Sequence, residues 1–166
     1  MNHLRVILNP IYCAQSQPIQ PIDFIKRWSF CHDLSQVIIY LERAAHAHCD
    51  DHEGRLHALK TAQGYLFNKH ISECINLSLR RTHDSILYDS PLFQKMRASP
   101  FPMMAEAIAK EWGLSNHLKE VVFYITVYKN FYPLFPYMRP VFLKQALKHL
   151  QREISAKEQI ISISTD

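Results

Sequence analysis

Leu34, Val37, Ile38 and Leu41 recur at the three- and four-residue spacing of one stripe on a helix of about 3.6 residues per turn. They predict a helix from His32 to His46 or His48. Ahead of it, Pro21 suits the first turn of a shorter helix, because its missing N–H would be unpaired there anyway, and Ile22, Ile25 and Trp28 follow at helical spacing. After it, Asp50-Asp-His-Glu53 reads as a capping box, with the Asp50 carboxylate accepting from the amide near Glu53. A third helix should start there, with Leu56, Leu59, Gln63, Leu66, Phe67 and Ile71 on a long apolar face. Two such helices with a short connection form an antiparallel hairpin.

The periodicity weakens from Asn76 to Pro100, where Ser90-Pro91 and Ser99-Pro100 punctuate the chain. Then the first pattern returns. Lys26-Arg-Trp28, Leu34, Val37 and Tyr40 can be written without a gap over Lys110-Glu-Trp112, Leu118, Val121 and Tyr124. Further on, Ala58-Leu-Lys60 with Gln63 matches Ala146-Leu-Lys148 with Gln151, and Pro18 falls opposite Pro102. Two matches in the same order at nearly the same offset predict an internal duplication of a short helix followed by a hairpin. The expected fold is an all-α helical bundle from two tandem degenerate copies of that unit. Its expected organisation is a single compact domain over residues 1–166: an N-terminal arm (1–18), a first helical unit (19–76), a linker (77–99), a second unit (100–154) and a frayed tail (155–166). The arm contains the short apolar piece Leu4-Arg-Val-Ile-Leu8.

Composition agrees with helices joined by proline-marked connections: the chain has only 3 glycines, and its 9 prolines fall almost wholly outside the periodic segments. The formal charge is +4, but the signs are interleaved and the longest basic run is Arg80-Arg81, which argues against a nucleic-acid surface. Cys13, Cys31, Cys49 and Cys74 are widely spaced, without a CxxC pair, so a disulfide framework is not expected. No stretch has the length of a signal peptide or of a membrane span. These features point to a reducing compartment, most simply the cytoplasm, and to no membrane partner.

The central stretch resembles a small family of phage-type helical proteins, some of whose members are described as nucleotide kinases. The family's core reads Leu-Gly-Asn, two apolar residues, Lys-Tyr and an Arg one turn on, then Leu-Lys-Lys-Ala and an aromatic-Tyr-Leu. The chain offers Leu34, Val37, Ile38, Tyr40, Leu41, Arg43 and Ala44, then Leu59, Lys60, Ala62, Tyr65 and Leu66. The resemblance covers residues 22–71 and, more faintly, 106–154. It departs where Ser35-Gln36 stand for Gly-Asn, Ile39 for Lys and Thr61 for the second Lys; in the second copy Phe123, Val127 and Glu153 hold the Lys, Arg and later Tyr positions. The apolar skeleton is kept while most phosphate-binding cations are gone, and no glycine-rich phosphate loop is present. The resemblance thus implies a helical fold and, as an alternative activity, a nucleoside monophosphate kinase-like enzyme using ATP and Mg.

Four side chains are candidates for a ligand site. Tyr40, Arg43, Lys60 and Tyr65 would line a cleft between paired helices, Arg gripping phosphate and Tyr stacking on a base. His46, His48, Cys49 and His52 are chemically suited to zinc, but the expected helix break separates them, and no metal is expected. No nucleophile motif or tight carboxylate set points to catalysis. The tract from Phe131 to Tyr137 carries two prolines among aromatics and would serve a protein partner or self-association. The expected function is a non-catalytic helical binding or interaction protein without a cofactor, and a homo-oligomer through that tract.

Overall fold

The computed structural model describes residues 19–48, 51–77, 101–131 and 138–164. Every element among them is an α-helix: α1 (Pro21–Trp28), α2 (His32–His46), α3 (His52–Leu77), α4 (Phe101–Trp112), α5 (Asn116–Phe131) and α6 (Arg139–Ser164). The arm, the linker from residue 78 on and the 132–137 part of the aromatic tract lie outside the described residues, as do Cys13 and Cys49.

Each hairpin is led by a shorter helix whose end is built the same way. α1 stops where Ser29 turns left-handed (φ 47°), and the Phe30 amide reaches back to the Ile25 carbonyl at 3.3 Å. α4 stops where Gly113 turns left-handed (φ 63°), and the Leu114 amide reaches back to Ala109 at 2.8 Å. This backward bond over a left-handed residue satisfies carbonyls that a helix end would otherwise leave open. One residue later the next helix begins, with Ser35 N–H donating to the Cys31 carbonyl and Lys119 N–H to the Ser115 carbonyl, both at 2.9 Å.

An L-residue in the left-handed region costs roughly 1–2 kcal/mol that glycine avoids. We expect Ser29→Gly to raise the melting temperature, by up to about 1 kcal/mol of added stability after the looser unfolded chain is counted. Gly113→Ala should lower stability by about 1 kcal/mol, and since a Cβ at Gly113 meets nothing within 4 Å, that loss is purely backbone strain. Thermal unfolding of the two variants against the parent checks both signs.

α2 packs along α3, α5 along α6, and the long helices α3 and α6 pack on each other to join the hairpins. α2 buries one stripe, Leu34, Val37, Ile38, Leu41 and Ala44. In contrast, α5 is buried on every side from Val121 to Tyr128. Phe123 and Val127 lie in this core, where an unpaired charge would be strongly disfavoured. Trp28 and Trp112 are both buried, and the Phe24 ring meets Trp112 edge-on with 6.3 Å between centroids.

Three expectations need correcting. Asp51 caps α3: its Oδ1 accepts from the Gly54 amide at 2.8 Å, so glycine rather than Glu53 occupies the third helical position, while Asp50 of the expected capping box lies outside the described residues. The presumed frayed tail is helix as far as Ser164, because α6 runs well past Ile154. The apolar face expected along α3 is not all core either; Leu59 and Leu66 are fully buried, but Phe67 is 52% and Ile71 41% exposed.

Candidate functional site

Tyr40 and Tyr65 stack across the α2–α3 pair with ring centroids 6.1 Å apart and planes 19° from parallel. The Arg43 guanidinium sits 5.0 Å from the Tyr40 centroid, and His32 meets Tyr65 edge-on at 6.0 Å. Spacing explains the first contact, since residues three apart are neighbours on a helix surface. A cation over a ring face contributes about 0.5–1 kcal/mol at an exposed site, so Arg43 is seated before any ligand arrives. Tyr40 and Arg43 line an open groove of about 450 Å³ with His46, Asp51, Gly54 and His57.

Lys60 is not there. It lies in a second groove, about 700 Å³, formed between α3 and α6 and lined by Gln63, Gly64, Phe67, Lys144, Leu147, Lys148 and Gln151 among others. Its ammonium pairs with Glu158 at 2.7 Å. Five helical positions separate Lys60 from Tyr65, a turn of about 140°, which directs the two to different sides of α3. Three of the four candidate residues therefore meet, and the two cations that a phosphate would need do not. At the floor of the second groove the Gln63 amide donates to the Gln151 side-chain carbonyl.

The histidine cluster is dispersed. His46 Nδ1 lies 3.1 Å from the Glu42 carbonyl and 3.5 Å from the Glu42 carboxylate, while His48 and His52 are exposed. Among the described residues no group of three His, Cys, Asp or Glu side chains could hold a metal ion. Glu106 is held by Lys119 at 2.9 Å rather than by a carboxylate partner.

A polar cluster with no local trace in the sequence lies inside the bundle. The Glu73 carboxylate accepts from the Tyr128 hydroxyl at 2.6 Å and pairs with Lys69 at 2.7 Å and Arg139 at 3.2 Å. Burial alone would push the Glu73 carboxyl up, but the hydrogen bonds from Lys69 and Tyr128 and the two positive charges outweigh it and hold its pKa below the ordinary value. Burial, reinforced by the bond to Glu73, pushes the Tyr128 phenol well above its usual range. Those partners are 55 and 66 residues apart in the chain, so only the folded arrangement brings them together. A carboxylate so engaged ties three helices together. A second buried carboxylate, Glu153, accepts from the Ser115 hydroxyl at 2.6 Å and thereby anchors the start of α5 to α6.

No helix among the described residues is long and apolar enough to cross a membrane. Compared with protein-family models, with curated proteins and with solved structures, the chain matches none.

Proposed function

We propose that this chain is a non-catalytic helical binding protein, built from two degenerate copies of a short helix and a hairpin and related to the phage-type family that its central stretch resembles. The observation that carries this reading is the separation of Arg43 from Lys60. The two cations belong to different grooves, one laid over Tyr40 and the other paired with Glu158, so Arg43 and Lys60 do not converge on one phosphate as the kinase-like reading requires. The two-copy reading is supported by the matched junctions after Trp28 and Trp112. It is also supported by the meeting of Gln63 with Gln151, which the sequence match pairs with each other: residues on a twofold axis touch their own equivalents. The thiols of Cys31 and Cys74 are free, in keeping with a reducing, cytoplasmic setting.

The test is a thermal-shift and calorimetric titration with deoxynucleoside monophosphates, ATP and magnesium, run beside Arg43→Ala. A ligand at a hundred times its dissociation constant adds about 2.7 kcal/mol to stability. We expect no saturable shift in either protein. A saturable shift lost in Arg43→Ala would instead favour the kinase-like reading over ours and call for a phosphoryl-transfer assay.

A further inference from the structure

We draw no further inference here: the strongest candidate, the exposed apolar stripe of Phe67, Ile71 and Ile75 along α3, carries none because nothing in the structure shows what covers it.

Discussion

Replacing Glu73 by alanine should cost about 3–5 kcal/mol, the usual loss when one partner of a buried ion pair is removed. Arg139 is itself buried, and the Tyr128 hydroxyl would lose its acceptor in the same stroke. That is a large share of the 5–15 kcal/mol by which domains are ordinarily stable, and urea unfolding should show a lower midpoint at unchanged slope. Glu73→Gln should cost less, since an amide oxygen can still accept from Tyr128. The pH dependence separates the two partners. Because the Glu73 pKa is lowered on folding, its contribution is present above the ordinary carboxylate value of 4.5 and disappears as the pH falls through the folded value. Because the Tyr128 pKa is raised, its contribution is present below the ordinary phenol value of 10.0 and disappears as the pH climbs beyond it. In Glu73→Gln the acid loss should flatten. An unchanged acid limb in that variant would mean that other carboxylates carry it.

Trp112→Ala should be comparably damaging, at about 3–5 kcal/mol for an aromatic ring removed from a packed core. The indole is 4% exposed, meets Phe24 edge-on and donates its Nε1–H to the Ile19 carbonyl at 2.7 Å. That bond ties the residues ahead of α1 to the end of α4 across 93 positions of sequence. Trp112→Phe keeps one packed ring but removes the donor and the rest of the indole, so it should cost less than alanine, about 1–2 kcal/mol. If alanine and phenylalanine prove equally costly in chemical unfolding, the hydrogen bond rather than ring packing dominates at this position.

The helices could be read because local rules govern them. Pro21 opens α1, the stripe from Leu34 to Leu41 defines α2, and both agree with their observed bounds. At the start of α3 the sequence offers two adjacent aspartates that are chemically alike, and Asp51 is seen to accept from the Gly54 amide. Phe67 and Ile71 show the limit of pattern reading more sharply: helical spacing identifies which residues share a face, but not whether another element covers it. For the candidate site, the contact between Tyr40 and Arg43 follows from a spacing of three. The departure of Lys60 to another groove follows from a rotation around α3 that could be computed, but its pairing with Glu158 needs the packing of α3 on α6. The Glu73 cluster had no such signal, since a glutamate one turn from a lysine is ordinary surface chemistry until Tyr128 and Arg139 arrive from elsewhere. Of the aromatic tract expected to bind a partner, only the end of α5 is among the described residues.

The burial of α5 on every side from Val121 to Tyr128 bears on how the chain can change over evolutionary time. A helix with a solvent face accepts polar exchanges there at little cost, and α2 and α3 keep such faces. Along this stretch of α5, any change in side-chain volume is felt by packed neighbours and calls for a matching change in them. Polar exchange is therefore tolerated on the open faces of α2 and α3, where Arg43 and Phe67 stand, and resisted at Phe123, Val127 and their neighbours.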